Sequence, residues 1–315
     1  MGVVFDKIST RDAFGSALSE LAREDENIMY LSADTINSVG GSLMHSEYPN
    51  RAINVGIAEQ NMALMAAGMA ASGAKVFIAT YAVFASMRIC EQVRTFIAYP
   101  NLDVKIVAGL GGLSGGIEGV THQGTEDIAI MRAIPNMCVV AAADAASTKV
   151  ITKAIAHYDG PVYLRLGRGP SPAVFDENYE FEFGRANVIR SYGNDVTFFS
   201  YGATINRCLQ ASEMLNKEGI YCRVIETPSL KPFDTEMVLK SVNETSLLVT
   251  VEDHNIIGGL GSAVAEALCG KNLTTPCLNI GLNDHYGVSG ECEELLDYYG
   301  MSAESIVQKV KAQLK

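Results

Sequence analysis

Apolar and polar positions along the chain alternate between two periods. In residues 9–24, STRDAFGSALSELARE, Phe14, Leu18 and Leu21 recur at helical spacing, with Ser9 or Thr10 placed to cap the start. NIMYLSAD then forms a short apolar run into a polar turn at Asp34, which reads as a strand. Residues 57–72 predict a tightly packed Ala/Met helix closed by Gly73. KVFIATYAVF predicts a buried strand ending in a loop, followed by a helix over about 85–98. VKIVAGL is a further buried strand and runs into a loop of small residues, GGLSGGIEGVTHQG. EDIAIMRAI reads as helix, CVVAAA as strand, 145–158 as helix and PVYLRLGRG as the last strand of the series. Strands alternating with helices of this length predict a parallel sheet covered on both faces. Ligands collect at the C-terminal ends of such strands, so the loops after Leu31, Ala79 and Leu110 are expected at one rim.

Residues 169–190 are irregular, with prolines nearby at 161, 170 and 172, and read as a linker. A second alternating series follows: DVTFFSYG, a helix over 203–218, YCRVIETPSL, a helix over 234–243, SLLVTVEDH, a Gly-rich turn into a helix over 258–269, TPCLNIGL, and a final helix over about 302–313. The expected fold class is α/β with two doubly wound domains. A mostly parallel-sheet domain spans 1–168, the linker 169–190, and a smaller α/β domain 191–315.

Composition narrows the function. Hydrophobic residues make up 48% of the 315 and charged residues 19%, with no Trp, a charged fraction below the usual quarter. That balance suggests a surface partly covered by another subunit. A net charge of −12 repels nucleic-acid phosphates, and no basic amphipathic run seeks a membrane. The seven scattered cysteines form no CxxC pair and read as reduced structural thiols. No apolar signal core opens the chain and no apolar run approaches the ~18 residues of a membrane span, so a cytoplasmic location is expected.

A few residues could carry chemistry. Glu59 stands at the first turn of an apolar helix. It is either a solvent-facing charge favoured by the helix dipole or a buried carboxylate that shares a proton with a bound heterocycle. His122 ends a loop with five glycines between Gly111 and Gly119. Such a loop admits close backbone approach, and the histidine could transfer protons or cap the next helix. Asp34 and Ser38 could be turn formers. Arg11, Arg94, Arg165 and Arg168 are anion-binding candidates. Tyr81 and Phe84 could be core or a ligand wall. The five histidines have no ligand-like spacing, and no GxSxG elbow occurs.

NVGIAEQNMA, the Gly-rich loop ending in THQG, EDIAIMRAIPNMCVV and GPVYLRLGRG together resemble the pyrimidine-binding domain of transketolases. DVTFFSYGATINRCLQASEML and VEDHNIIGGLGSAVAEAL resemble the C-terminal domain of the same family. The resemblance implies thiamine diphosphate as cofactor and transfer of a two-carbon ketol unit from a ketose phosphate to an aldose phosphate. It makes Glu59 the carboxylate that hydrogen-bonds the aminopyrimidine, and His122 the proton-transfer group near the reactive carbon. Tyr81 and Phe84 would stack on the pyrimidine, with Asp34 nearby. Arg11, Ser38 and Arg168 would hold the sugar phosphate, with Glu118 and His122 at the substrate.

The resemblance also implies what is missing. The rest of a full transketolase carries a GDG motif and a downstream Asn that hold the diphosphate and a divalent metal, Mg2+ or Ca2+. No GDG occurs here, so an N-terminal transketolase subunit is expected as partner, in a heterotetramer. This chain has Leu110 where many transketolases carry a second histidine, and Glu118 where an aspartate reads a substrate hydroxyl. Both changes point to a specialised sugar, branched apulose-type or sulfonated. Alternatives are the beta subunit of a 2-oxo-acid dehydrogenase, a deoxyxylulose-phosphate-synthase-like enzyme, and a non-catalytic scaffold.

Overall fold

The computed structural model describes residue 6, residues 8–271 and residues 275–314. The first half runs α1 (Thr10–Glu24), β1 (Ile28–Ser32), α2 (Ser42–Glu47), β2 (Ala52–Asn54), α3 (Glu59–Ala71) and β3 (Lys75–Tyr81). Two π-helical turns, Phe84–Arg88 and Val93–Ala98, flank α4 (Cys90–Gln92). Then come β4 (Val104–Gly109), α5 (Asp127–Ala133), β5 (Cys138–Ala141), α6 (Ala145–Ala156) and β6 (Val162–Arg165). The second half runs β7 (Asn187–Ser191), β8 (Val196–Ser200), α7 (Ile205–Lys217), β9 (Cys222–Glu226), β10 (Ser229–Lys231) and α8 (Thr235–Glu244). It ends with β11 (Leu247–Asn255), α9 (Leu260–Leu268), β12 (Cys277–Leu282), α10 (Cys292–Tyr298) and α11 (Ala303–Gln313).

Local chemistry explains the boundaries. Ser9 accepts from the Asp12 amide to start α1, whose buried face carries Phe14, Leu18 and Leu21. Asp144 and Ser147 form a reciprocal capping box on α6. β4 is buried at every position, as a central parallel strand must be. The helix expected over 85–98 is wound more loosely than its spacing predicts. The Ser86 hydroxyl donates to the Ala82 carbonyl at 2.7 Å, competing with the backbone amide for that acceptor.

The strands form two sheets. Six strands of the first are parallel in the order β5-β6-β4-β3-β1-β2, and β10 joins antiparallel beside β5. The second has the order β12-β11-β8-β9-β7, with β7 antiparallel. The fold class is therefore the expected one, two wound α/β units. Three details differ. The segment YCRVIETPSL is two strands rather than one: Pro228 cannot donate to a ladder, yet its carbonyl accepts from the Ala141 amide at 2.9 Å, turning the chain onto the first sheet. Residues 187–190 of the expected linker belong to β7, held by pairing with β9. The short elements α2, β2 and α10 were too brief to leave a periodic signal.

The remaining linker is fastened at both ends. Asp144 accepts from the amides of Val174 and Phe175 at 2.9 and 2.7 Å. Buried Glu226 on β9 accepts from the Tyr179 hydroxyl at 3.1 Å and from Asn187 at 2.9 Å. Burial pushes the Glu226 carboxyl up to about 8 against the opposing effect of those two donors.

The halves share an apolar core and also a buried ionic contact. Arg165, at the end of β6, donates to Asp127 at 3.0 Å and to Asp253 of β11 at 2.7 Å. Its remaining donors reach the carbonyls of Gly124 and Asp253. All three side chains are buried. Burial works against the guanidinium charge, but the two carboxylates hold Arg165 well above its ordinary value. Arg165 is therefore withdrawn from the anion-binding candidates. All seven cysteines are free, with Cys138, Cys208 and Cys222 buried. No helix among the described residues is long and apolar enough to cross a membrane.

Two outcomes are expected. Arg165→Met leaves two buried carboxylates uncompensated and should destabilise the chain by about 3–5 kcal/mol, read as a lower denaturant midpoint. A carboxyl whose folded value is raised adds stability at low pH that is lost as pH rises toward the folded value. Unfolding midpoints should therefore fall as pH passes from about 4.5 to about 8, and Glu226→Gln should flatten that slope.

Candidate active site

Because six strands of the first sheet are parallel, the chain leaves β1, β3, β4 and β6 on one rim, and most of the expected site residues lie on those exits, with Glu59 following β2 and Arg11 on α1. Glu59 is the first residue of α3, where the helix dipole favours a carboxylate. The residue is largely buried, at 6% exposed, and its carboxylate oxygens keep the little contact with solvent that remains. Among the described residues no hydrogen bond reaches its carboxylate, and the nearest cation, Arg88, stands 3.6 Å away. A buried carboxylate without a donor is costly unless something supplies one.

Three rings gather on the strand exits and are linked to Glu59 through Arg88. Tyr81 ends β3 and Phe84 opens the first π turn, with ring centres 5.8 Å apart. The His122 ring lies 5.6 Å from Tyr81 and 5.5 Å from Phe84. Arg88, which pairs with Glu59, lies over the Phe84 ring at 4.8 Å. His122 sits in the 3-10 turn Val120–His122 with Nδ1 2.9 Å from the Thr121 hydroxyl. It does not cap α5, which begins after Glu126 without a side-chain cap. Sequence reasoning missed Arg88. Its one signal was a position four residues after Phe84, on the same face of a helix.

Asp34 is exposed and left-handed, with φ 61°. Its amide donates to Asn54 at 2.9 Å, and Asn54 donates back to its carboxylate at 3.1 Å. Asn54 also takes the Gly56 amide, so Asp34 is tied to the loop that leads into Glu59. The Ser38 amide closes a turn on the Thr35 carbonyl at 2.9 Å. The Thr35 hydroxyl bonds the Ala79 carbonyl at the end of β3.

A second group lies farther along the rim. Arg11 and Arg168 line one cleft of about 360 Å3 with Ser114, Ile117, Ser171 and Glu293. Glu118 grips Arg168 through two contacts of 2.8 and 2.7 Å, the fork geometry in which arginine meets a paired-oxygen anion. Leu110 is buried and left-handed at φ 59°, a strained backbone for a leucine and a kind of strain that gathers at functional sites. Arg94 is exposed on the second π turn, outside both groups. A larger cavity of about 630 Å3 lies between the far end of α3 and the entry ends of β1 and β3. It is lined mainly by methionines, small residues and backbone, with Glu26 its one carboxylate, so it is not the chemical site.

These residues fit an aminopyrimidine. The donor-less Glu59 carboxylate could accept from its ring, and Tyr81 and Phe84 offer apolar faces. No set of three or more His, Cys, Asp or Glu among the described residues could hold a metal ion.

Comparison with known proteins gives one answer. Residues 6–172 match the family described as transketolase, pyrimidine binding domain, and residues 184–306 match transketolase, C-terminal domain. The chain is 43% identical over 307 residues to a putative transketolase C-terminal section of Methanocaldococcus jannaschii, covering 97% of this chain and 96% of that protein. It is 40% identical to a 6-deoxy-6-sulfo-D-fructose transketolase subunit of Clostridium sp., covering 95% of this chain and 92% of that one. It is 38% identical to one subunit of an apulose-4-phosphate transketolase of Phocaeicola vulgatus, covering 95% of each. A solved split gene transketolase, an inactive beta4 tetramer, matches with TM-score 0.87 and 43% identity over 98% of both chains. The chain therefore belongs to the transketolase family, enzymes of the transferase class whose membership implies thiamine diphosphate, and carries that family's pyrimidine-binding and C-terminal domains.

Proposed function

We propose that this chain is the C-terminal subunit of a split transketolase that moves a two-carbon ketol unit from a ketose phosphate to an aldose phosphate. The observation that carries the reading is Glu59: a largely buried carboxylate with no hydrogen-bond donor of its own, paired with the arginine that lies over the Phe84 ring. When bound, thiamine diphosphate supplies the electron sink that lets a ketose be cleaved beside its carbonyl. Glu59 would accept a hydrogen bond from the aminopyrimidine and hold its proton balance. Tyr81 and Phe84 would wall the ring from water, with Asp34 at the mouth. His122 would exchange protons with substrate oxygens.

Arg11, Arg168 and Ser38 would take the anionic end of the sugar. Arg168 is engaged by Glu118, so an incoming anion must displace a carboxylate or share its cation. That competition, with the apolar Leu110 in the same loop, favours a specialised sugar, branched or sulfonated. Support comes from the relatives whose names specify a sulfofructose or an apulose phosphate. A deoxyxylulose-phosphate-synthase reading rests on more distant likeness, 34% identity spanning 47% of such an enzyme.

The diphosphate and its metal, Mg2+ or Ca2+, would be held by an N-terminal subunit, two of each chain forming a heterotetramer. Exposed apolar side chains support a covering partner: Ile57, two residues before Glu59, is 80% exposed and Tyr99 83%, and Met87 and Phe96 are exposed as well. The inactive assembly of the split-gene relative agrees with a need for a second polypeptide.

Two measurements test this. Titration calorimetry should detect no micromolar binding of thiamine diphosphate with magnesium to the isolated chain, and binding once the N-terminal subunit is added. Tight binding by the chain alone would refute the split site. Glu59→Gln should assemble normally but lower ketol transfer by about 10²–10⁴-fold. Full activity in that variant would remove the proton role.

A further inference from the structure

The loop that carries His122 and Glu118 does not rest on the first domain alone. Gln123, directly after His122, is buried, and its Nε2 donates to the Val288 carbonyl of the second domain at 2.9 Å. The Gly290 amide donates to the Gly116 carbonyl at 3.1 Å, and the Asn255 amide to the Thr125 carbonyl at 2.8 Å. The surfaces interlock at glycines. A Cβ on Gly116 would stand 2.3 Å from the Gly290 carbonyl oxygen, and one on Gly119, at φ 79°, 2.7 Å from the Ser289 hydroxyl. A Cβ on Gly287 would stand 2.1 Å from Gln123 Oε1.

We propose that Gln123 is a positioning residue through which segment 287–290 of the second domain fixes the turn that presents His122. This rests on the ketol-transfer reading above. Neighbouring residues face opposite supports: the His122 ring meets Tyr81 and Phe84 of the first domain, while the Gln123 amide is anchored in the second. A glycine-rich turn has little stiffness of its own. Two supports on consecutive residues remove the freedom that would let the imidazole swing off line. Breaking the Gln123 bond removes this donor from the Val288 carbonyl, leaves the buried Gln123 position without its anchor and frees the turn. The second domain thereby becomes part of the catalytic geometry without touching substrate.

The test uses the full chain reconstituted with its N-terminal subunit. Gln123→Met removes the donor at similar volume. Gly287→Ala displaces the same side chain from the second-domain side and keeps the turn's own sequence. In both, kcat should fall by about 10–100-fold with KM changed less than about twofold, since misplacement of a catalytic group costs rate more than binding. Subunit assembly and the thermal midpoint should hold. Amide hydrogen exchange over 116–123 should quicken while β1 stays protected. The proposal is overturned if the turn stays protected in both variants, if exchange quickens with kcat unchanged, or if kcat falls only alongside global loss of protection. Should Gln123→Met fail to fold, Gly287→Ala decides alone. A wild-type complex without ketol transfer would end the functional reading by itself. The exchange comparison would still overturn the proposal separately if the turn proved rigid without Gln123.

Discussion

Where the two halves of this chain meet, one buried cation joins a carboxylate from each. Arg165 stands between Asp127 of the first domain and Asp253 of the second, and the low dielectric there makes each charge costly without the others. Geometry follows from that cost. Gly111 must lack a side chain because a Cβ would meet the Arg165 stem at 2.7 Å. Gly112 must lack one because a Cβ would meet Asp253 at 2.0 Å. The start of the glycine-rich loop is therefore drawn against the interdomain ion pair.

Around the same junction the buried groups compete for partners. Tyr163 donates to Asp127 at 2.8 Å, using the oxygen that Arg165 also contacts. The second Asp127 oxygen has no hydrogen bond among the described residues, with His254 Nε2 4.0 Å away. Glu252 is better served: the amides of Leu260 and Gly261 at the start of α9 donate to it at 2.7 and 2.9 Å. An ionic cluster of this kind adds little net stability over an apolar core, but it ties the start of the glycine-rich loop to β11 through Arg165. That fixes where the His122 loop lies relative to β3, and so where the three rings meet.

The rim shows how one fold separates two tasks. Near Glu59 the surroundings are aromatic and a carboxylate goes without a donor. Near Arg168 the cleft is lined by charged groups of both signs, with Glu118 already engaged. The first environment suits a flat heterocycle and the second an anionic sugar. The short stretch between Glu118 and His122 links them, and both ends of it rest on the second domain.

The chain's own pattern determined much of this. The order of the longer strands and helices, two α/β units, a common rim for the strand exits, and most of the residues worth suspecting were legible, because burial on both faces of a parallel sheet writes itself as apolar runs between helical repeats. Glu59, Tyr81, Phe84 and His122 could each be named, but their convergence could not, since it depends on β3 and β4 lying side by side. Tertiary structure alone decided the fate of Arg165, which as a sequence letter looked as free to bind anions as Arg168. It also decided that β10 leaves its own domain for the first sheet, that residues 187–190 are strand, and that Arg88 faces Glu59. Each depends on partners tens of residues away, and periodicity records only what a residue's near neighbours require.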